Sequence, residues 1–548
     1  MPIPVEPGWL TLLPPIVAIV LALVFKEVVL SLFAGIWLGA LLLNGFDPLA
    51  ASLRSVDEFI LRSVAEDADH IAIIVFSLLL GGMVGVMSRS GGTRGIVEAL
   101  RPLATSPRRG LFFTWLAGII IFFDDYANTL IVGNTMRPVT DRLRVSREKL
   151  AYIVDSTAAP MAAIAVISTW VGYEITLIGD SLASAAAQST DPAVVAELTA
   201  ASQTPFTIFL HSIPFLFYPI FAVLFVLMTV LTGRDFGPML GAERRARTTG
   251  DVLRPGSTPA ADVSSSDLEA VTGQPHRWWY AAIPITVVIL VAFVGLFTTG
   301  RAGLDGAEPI LRNIIGAADP FKSLIWASAT GCFVAIILAV AGRALTLQQA
   351  IEAWVNGMKA MFMAIIILVL AWGLGGVTTD LQTGTYLAGQ ISDTLPLPSL
   401  PVLVFLVAAL ISFATGTSWG TMAILFPVVI PLAVAMGAGL AFDSGEHYSI
   451  LLGVISSVMA GSIFGDHCSP ISDTTIMSSM ASGCDHIDHV RTQLPYALAV
   501  GAIAMAVGDI PTSFGVHPAI SLVVGITLLY LLLRFVGKPS ENPAVREA

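Results

Sequence analysis

The chain has 548 residues, of which 55% are hydrophobic and only 12% charged, and its formal net charge is −11. A soluble domain usually carries about 25% charged residues, so this composition excludes an ordinary soluble enzyme. The negative charge argues against a nucleic-acid-binding protein. Several apolar runs approach the roughly 20 residues that a membrane-spanning helix needs. We therefore predict an all-α polytopic membrane protein in the lipid bilayer of the plasma (inner) membrane.

Charged connections between the hydrophobic runs predict how the chain crosses the bilayer. Three connections rich in Lys and Arg lie at 89–109, 137–149 and 234–277. The positive-inside rule places these in the cytoplasm. Three acid-rich connections, which then fall outside, lie at 47–69, 174–197 and 443–446. We expect about eleven transmembrane helices, with the amino terminus outside and the carboxyl terminus cytoplasmic. The expected spans are 10–25, 28–43, 70–88, 150–172, 205–232, 281–299, 322–341, 360–377, 449–482, 495–510 and 518–534.

Two further hydrophobic segments do not read as simple spans, because polar residues interrupt the middle of each. Residues 111–136 lie between two basic connections and are interrupted at 123–129. Residues 401–434 lie between two external connections and are interrupted at 413–420. A segment that begins and ends on one side of the bilayer enters it without crossing. We therefore predict two re-entrant helical hairpins, one from each side.

Each predicted hairpin is followed by a span with a polar break of its own. The breaks occupy 155–160 and 466–470, and each begins with Asp and ends with Pro. Hairpin and broken helix thus recur in the same order with opposite orientation, which is typical of an inverted repeat with its site at the midplane. The predicted domains are 1–233 as the first repeat, 234–279 as a flexible cytoplasmic linker, 280–517 as the second repeat, and 518–548 as an extra carboxyl-terminal helix and tail.

The aspartates of these breaks are the first candidates for an ion site. An ionised group inside the bilayer costs about 2.5–3.5 kcal/mol on insertion scales, so its presence needs a purpose. A carboxylate in low dielectric is able to exchange a proton for a cation near neutral pH. We expect Asp466 and Asp155 to take that role, followed by Asp473 and by the adjacent Asp124 and Asp125. The alternative is that some of them only cap broken helices.

Hydroxyls, amides and freed backbone carbonyls at the breaks supply the neutral oxygen ligands that bind hard cations such as Na⁺. The candidates are Asn128, Thr129, Ser156, Thr157, Thr417, Ser418, Ser469 and Ser472. His467 follows Asp466 directly and is a candidate proton relay, because the ordinary pKa of histidine is about 6.5. A structural, hydrogen-bonded histidine is the alternative.

Other patterns argue against an enzyme and against a transition-metal site. The sequence GTSWG at 416–420 matches the esterase pattern GxSxG, but that motif needs a strand–turn–helix context. Cys468, Cys484, His486 and His489 lack the paired CxxC spacing of a zinc site. No ATPase motif occurs in the sequence, so we expect no cofactor and transport driven by an existing ion gradient.

Five sequence blocks are specific enough to suggest a family: FFDDYANTL at 122–130, RPVTD at 137–141, VDSTAAP at 154–160, GTSWGT at 416–421 and GDHCSPISDT at 465–474. Together they resemble the NhaC-type Na⁺/H⁺ antiporters of a wider ion-transporter superfamily. The resemblance implies that Na⁺ and H⁺ are the partners, with H⁺ taken in while Na⁺ leaves. It also implies an elevator-like movement of a transport domain against a scaffold, often in a dimer.

Two other functions stay open at this point. A related subgroup exchanges malate for lactate, coupled to protons and Na⁺. A carboxylate substrate should want an Arg or Lys, or a helix N-terminus, at the midplane. The nearest basic residue is Arg137, at the end of a hairpin, which favours a cation as the sole cargo. An ion channel is the third reading, and titratable aspartates at paired breaks favour exchange over a continuous pore.

Overall fold

The computed structural model describes residues 8–25, 28–65, 68–259, 276–304, 314, 318–383, 386, 390, 395–437 and 445–540. This part of the chain is almost entirely helical, which confirms the prediction of an all-α polytopic membrane protein. Within it, nine helices are long and apolar enough to cross a membrane, or ten if a pair bent by 84° forms one span. The sequence predicted about eleven. Three further apolar helices have only 10–17 residues: Trp9–Leu21, Val29–Leu43 and Phe217–Thr232.

The helices of the first half, in chain order, are α1 (Leu13–Phe25), α2 (Val28–Leu43), α3 (Pro48–Arg54), α4 (Arg62–Ala65), α5 (Ala68–Arg89), α6 (Gly92–Leu100), α7 (Pro107–Ile120), α8 (Asp125–Arg142), α9 (Arg147–Ser156), α10 (Ala159–Ile164), α11 (Val171–Gln188), α12 (Pro192–Ser202), α13 (Pro205–Ser212), α14 (Phe217–Thr232) and α15 (Gly237–Thr249). A π-helical stretch, Ser55–Leu61, joins α3 to α4.

The helices of the second half are α16 (Trp279–Ala302), α17 (Pro320–Ala341), α18 (Leu347–Ala360), α19 (Phe362–Asp380), α20 (Leu400–Thr415), α21 (Ser418–Met436), α22 (Gly445–Cys468), α23 (Asp473–Ser482), α24 (His486–Ile503), α25 (Ile510–Ser513) and α26 (Pro518–Phe535). A π-helical stretch, Ala504–Asp509, joins α24 to α25. Two short strands, β1 (Arg234–Asp235) and β2 (Lys538–Pro539), pair antiparallel.

Both segments predicted as hairpins consist of two helices joined by a short non-helical stretch. Hairpin 1 is α7 and α8, separated at 121–124, and hairpin 2 is α20 and α21, separated at 416–417. Gly416 ends α20 in the left-handed conformation with φ 71°, which glycine adopts without a Cβ clash. Thr417 then caps α21 by accepting a hydrogen bond from the backbone of Gly420. The polar interruption at 413–420 therefore encodes a tight turn between two apolar helices.

Both spans predicted to be broken are interrupted in the structure. Break 1, at 157–158, separates α9 from α10, and Pro160 lies in the first turn of α10. Break 2, at 469–472, separates α22 from α23 and contains Pro470. Proline has no backbone N–H and clashes with the preceding helical turn, so neither helix continues straight through.

The second helix of hairpin 2, α21, and the broken helix α22 lie in the interior of the bundle. In α22 and α21, 83% and 78% of the apolar stretch is buried, against 22% in α26 and 28% in α16. Hairpin 2 packs along α22, and α8 and α9 pack against α23, so hairpins and breaks from both halves are in contact. The peripheral helices present apolar side chains outward, as helices in contact with lipid do.

One connection expected outside the membrane is instead a buried helix. Residues 171–188 form α11, in which nearly every side chain is buried, and this helix packs against α21, α19 and α5. The placement of 174–197 as an external acidic loop was therefore wrong for this stretch. Its acidic residues suggested an exposed connection, but Glu174 is fully buried, and Oδ2 of Asp180 lies 3.0 Å from Nε2 of His70.

The linker expected to be flexible is folded in its first part. Asp235 lies in β1, and its Oδ1 is 2.7 Å from Nζ of Lys149 in α9. In α15, Glu243 accepts hydrogen bonds of 2.8 Å from both the backbone N–H and the hydroxyl of Ser146. These charged residues have partners on α9 and at its N-cap, whereas the sequence suggested that the linker lacks fixed structure. Residues 260–275 lie outside the described part of the chain.

Candidate functional site

Asn128 fastens hairpin 1 to break 1. Its Nδ2 donates to the backbone carbonyls of Gly118 (2.7 Å), Ile121 (3.1 Å) and Thr157 (2.9 Å). A Cβ on Gly118 would lie 2.1 Å from Oγ1 of Thr157, so this close approach requires glycine. Oδ1 of Asn128 is buried and has no hydrogen-bond partner among the described residues. The side chain therefore satisfies carbonyls that the hairpin and the break leave free, and it keeps one acceptor oxygen unused.

The second half repeats this contact between hairpin and break. A Cβ on Gly416 would lie 2.5 Å from the backbone oxygen of Ile471 in break 2. Ser469, also in break 2, donates a 2.7 Å hydrogen bond to the backbone carbonyl of Phe413 in hairpin 2. Each hairpin turn thus lies directly against the break of the broken helix that follows it in the chain.

Asp155, at the end of α9, is fully buried and is surrounded by donors from the second half of the chain. Thr475 Oγ1 donates to its Oδ2 at 3.1 Å, and Ser478 Oγ donates to its Oδ1 at 3.2 Å. Gln493 Nε2 in α24 donates to Oδ2 at 2.5 Å. None of these donors carries a charge. Three neutral donors thus satisfy the carboxylate oxygens without adding a positive charge beside them.

Asp466 lies near the end of α22 and is 1% exposed. Thr474 Oγ1 donates to its Oδ2 at 2.6 Å. Thr474 and Thr475 are adjacent in α23, and they donate to Asp466 and to Asp155 respectively. The first turn of α23 therefore connects two buried aspartates that belong to opposite halves of the chain.

His467 lies at the same place and bonds to a neighbouring helix. Its Nδ1 is 2.9 Å from the hydroxyl of Tyr218 in α14, and its backbone carbonyl accepts from Gln493 Nε2 at 2.9 Å. Its Nε2 is buried without a hydrogen-bond partner among the described residues. The ring is thus oriented by Tyr218 and retains a free nitrogen, which is compatible with both the relay and the structural reading.

Most of the other predicted oxygen ligands bond to nearby backbone or to one another. Thr129 Oγ1 donates to the carbonyl of Asp125 at 2.8 Å, and Thr417 caps α21. Ser472 caps α23 and lies 3.1 Å from the hydroxyl of Thr474. These side chains build the turns of the site and lie beside it.

Four further candidates are buried at the same turns: Asp124, Asp125, Ser156 and Ser418. Of these, Ser418 has a hydroxyl without a hydrogen-bond partner within the described residues. The side chain of Asp473 lies outside the described part of the structure, although its backbone begins α23. The predicted residues thus fall at the turns of hairpins 1 and 2 and at breaks 1 and 2, and the described hydrogen bonds link hairpin to break within each half.

Sequence reasoning missed several residues that bond to the aspartates. Thr475 and Ser478 follow break 2 in a hydroxyl-rich run, and their spacing of three places both on one helix face. That pattern would have identified them. Gln493 and Tyr218 lie in other helices and carry no local signal. Glu174 in α11 was also missed, and both of its carboxylate oxygens are buried without a hydrogen-bond partner among the described residues.

Buried carboxylates at paired helix breaks, within a multi-pass helical bundle, define a secondary transporter. Comparison with known families agrees: the sequence model of the Na⁺/H⁺ antiporter family matches residues 8–169 and 161–508. The chain belongs to this family.

Individual relatives cover the chain to different extents. A Haemophilus influenzae protein, described as uncharacterized, is 34% identical over 510 residues, which are 92% of this chain and 91% of that one. The malate-2H⁺/Na⁺-lactate antiporter of Bacillus subtilis is 33% identical over 156 residues, only 27% of this chain and 29% of that one. The crystal structure of the YdaH transporter of Alcanivorax borkumensis shares the fold, with a TM-score of 0.50 at 16% identity over 89% of this chain and 90% of that one.

Proposed function

We propose that this transporter exchanges Na⁺ for H⁺ across the plasma (inner) membrane by alternating access. The observation that carries the proposal is the pair Asp155 and Asp466, two buried carboxylates connected through the adjacent donors Thr475 and Thr474. Each carboxylate comes from a different half of the chain. A site assembled in this way changes when the two halves move, which is the requirement for alternating access.

The chemistry of the described donors favours a small hard cation. Hydroxyl and amide groups donate to Asp155, and neutral oxygens such as Oδ1 of Asn128 and Oγ of Ser418 have no hydrogen-bond partner among the residues that the structure describes. Na⁺ binds ionised carboxylates together with neutral oxygens of this kind. Protonation of the carboxylates removes the charge that holds the ion. A site that is occupied either by Na⁺ or by protons enforces exchange.

The contacts between hairpins and breaks support an inverted repeat. Gly118 meets Thr157 in the first half, and Gly416 meets Ile471 in the second. In both halves the hairpin turn packs on the break of the next broken helix, in the same chain order. We infer that residues 1–233 and 280–517 are the two repeats, with the amino terminus outside and the carboxyl terminus cytoplasmic.

A carboxylate exchanger is the second candidate, because hairpin 2 offers an anion-binding feature. The helix α21 begins at Ser418, whose buried hydroxyl has no partner in the described part of the chain. A helix N-terminus attracts a carboxylate through its free N–H groups. The match to the malate–lactate antiporter of Bacillus subtilis covers only 27% of this chain and does not decide between the two.

Reconstituted protein tests the proposal. Liposomes that contain a pH-sensitive dye receive a Na⁺ gradient with the membrane potential clamped and no organic acid present. We expect Na⁺-driven proton movement in the parent and its loss in Asp155→Asn and Asp466→Asn. Asp319→Asn serves as the control, because Asp319 caps α17 at a partly exposed position. Movement only after malate or lactate is added would establish the carboxylate exchanger and overturn Na⁺/H⁺ exchange.

A further inference from the structure

Two histidines at the start of α24 face one hydroxyl group. Nδ1 of His486 lies 3.0 Å, and Nδ1 of His489 lies 2.8 Å, from Oγ of Ser479. The second ring nitrogen of each histidine faces a carbonyl oxygen. Nε2 of His486 is 2.6 Å from the backbone oxygen of Pro470, and Nε2 of His489 is 3.0 Å from Oε1 of Gln493. All four ring nitrogens are therefore within hydrogen-bonding distance of an oxygen atom.

The partners of Gln493 fix the direction of its amide. Its Nε2 donates to the carboxylate of Asp155 at 2.5 Å and to the backbone carbonyl of His467 at 2.9 Å. Both partners are acceptors, so the NH₂ group faces them and Oε1 faces His489. Carbonyl oxygens cannot donate, and Nε2 of His489 and Nε2 of His486 must therefore each carry a hydrogen.

A count of hydrogens then shows that two neutral rings do not complete this arrangement. A neutral imidazole with its hydrogen on Nε2 has a bare Nδ1. Both Nδ1 atoms face Ser479 Oγ, which has a single hydrogen and also lies 2.7 Å from the backbone oxygen of Thr475. At least one Nδ1 is left without a donor. One added proton removes the deficit, because one ring then donates to Oγ and the hydroxyl donates to the other ring.

We propose that His486, Ser479 and His489 form a proton-binding site that holds one shared proton. A second added proton would put two positive rings against the same oxygen, which like-charge repulsion opposes. His489 is fully buried, whereas His486 is only partly buried. The site therefore exchanges its proton with water at His486 and stores it beside the interior of the bundle. We call these three residues the histidine site.

Several charged groups surround the histidine site, and Asp155 is the acid that hydrogen bonds join to it. Arg137 and Arg147 lie beside Gly483; Glu148, Asp485 and Asp488 lie near Cys484; and Asp155 lies near His489. Asp466 is hydrogen-bonded to Thr474 in α23, and Glu148 pairs with Arg245. Arg147 pairs with Asp141, and Arg254 pairs with Asp488. Asp485 accepts from the backbone and hydroxyl of Thr258. Within the described hydrogen bonds, Asp155 is connected to His489 through one intervening side chain, Gln493.

This connection couples the two proton sites, a step that rests on the proposed Na⁺/H⁺ exchange. With the proton present, His489 donates to Gln493, and the amide NH₂ stabilises ionised Asp155, the form that binds Na⁺. When the proton leaves through His486 to water, His489 satisfies Ser479 by moving its single hydrogen to Nδ1. Nε2 of His489 then carries no hydrogen and no longer donates to Oε1 of Gln493, so the amide that donates to Asp155 is held less firmly.

Nuclear magnetic resonance of ¹⁵N-histidine-labelled protein in detergent micelles tests the histidine site without any transport. At pH 7 we expect one of the two rings to carry hydrogens on both nitrogens in the parent. In His486→Gln the signal of His489 should change to that of a neutral ring, and Ser479→Ala should have the same effect. Ser479→Thr keeps the hydroxyl and should keep the shared proton. His276→Gln is the control, because His276 pairs with Glu98 outside this network.

The results separate the histidine site from the proposed function. If both rings are neutral at pH 7 in the parent, and neither responds to the loss of the other, the shared proton is refuted. In liposomes, Ser479→Ala should shift the pH of half-maximal exchange by about one unit. The change removes the hydroxyl that the two rings share, and a shift of one unit corresponds to about 1.4 kcal/mol between the two protonation states. A parent that exchanges Na⁺ for H⁺ with an unchanged profile in Ser479→Ala would refute the coupling to Asp155. A parent without such exchange would refute the proposed function and leave the resonance result valid.

Discussion

The amide nitrogen Nε2 of Gln493 lies 2.5 Å from Oδ2 of Asp155. The two residues are 338 positions apart, and their contact joins α24 to α9. The same nitrogen donates to the backbone carbonyl of His467, which lies just before break 2. One amide therefore connects the buried acid of the first half to the break of the second half.

Replacing Gln493 with Ala should weaken Na⁺ binding. The change removes a donor from Asp155, and a hydrogen bond to a charged group contributes about 1.5–3 kcal/mol. We expect the Na⁺ concentration for half-maximal exchange to rise roughly 10- to 100-fold. Liposome assays at a series of Na⁺ concentrations measure this value. Gln348→Ala is the control, because Gln348 bonds to Glu352 on an exposed surface; equal effects of the two changes would contradict the assignment.

Replacing Thr474 with Val removes the hydroxyl that donates to Asp466 and keeps the shape of the side chain. The buried carboxylate then loses this donor, and exchange should fall by about 10-fold, since each 1.4 kcal/mol is tenfold. Thr286→Val is the matched change, because Thr286 is exposed and donates only to the carbonyl of Ala282 in its own helix. Parent-like exchange in Thr474→Val would show that Asp466 does not depend on this donor.

Replacing Gly416 with Ala should disrupt the contact of hairpin 2 with break 2. The new Cβ would lie 2.5 Å from the backbone oxygen of Ile471, and the residue has φ 71°. The left-handed conformation alone costs a residue with a Cβ roughly 1–2 kcal/mol. Gly515→Ala isolates that cost, because Gly515 has φ 82° with nothing within 4 Å of its Cβ position. We expect a larger loss of thermal stability and of exchange in Gly416→Ala; equal losses would show that close approach to Ile471 is unimportant.

The buried ion pair of Lys149 and Asp235 should stabilise the folded linker. Burial alone would raise the pKa of Asp235, but the Lys149 ammonium and hydrogen bonds from Lys149, Ser540 and Tyr496 outweigh it and hold the pKa below its usual value. Removal of one partner from a buried pair costs about 3–5 kcal/mol. Lys149→Met should therefore lower the unfolding temperature at pH 7, and the double change Lys149→Met with Asp235→Asn should recover part of the loss.

The pH dependence of this pair has a definite sign. Because the folded-state pKa of Asp235 is lowered, its contribution to stability is present above the unfolded pKa of about 3.9 and is lost as pH falls through the folded value. The parent should therefore keep this contribution from pH 7 down to about pH 4. Unfolding temperatures measured across that range check the prediction. If the parent and Asp235→Asn already unfold at the same temperature near pH 6, the prediction is contradicted.

Local sequence was sufficient for the turns of the site. Gly416 and Thr417 encode the turn of hairpin 2, and Pro160 and Pro470 interrupt their helices because proline cannot complete the backbone hydrogen bonding. Each of these effects acts within a few residues. For the same reason the breaks around Asp155 and Asp466 were predictable.

Acidic residues were the least reliable guide to topology. Glu174 and Asp180 made α11 look like an external loop, although the helix packs against α21, α19 and α5. The positive-inside rule counts basic residues, and acidic residues contribute little to orientation. Likewise, the charges of 234–259 suggested a solvated linker, but Glu243 and Asp235 have partners on α9 and at its N-cap, Ser146.

By itself, the sequence determined the class of protein, the four polar interruptions and the aspartates within them, because composition and proline act locally or on average. Only the tertiary structure decided what surrounds those aspartates. Gln493, Thr475 and Ser478 reach Asp155 from more than 300 residues away. The sharing of Ser479 by His486 and His489 likewise depends on how α23 meets α24. Such hydrogen bonds follow from helix packing, which no short sequence pattern encodes.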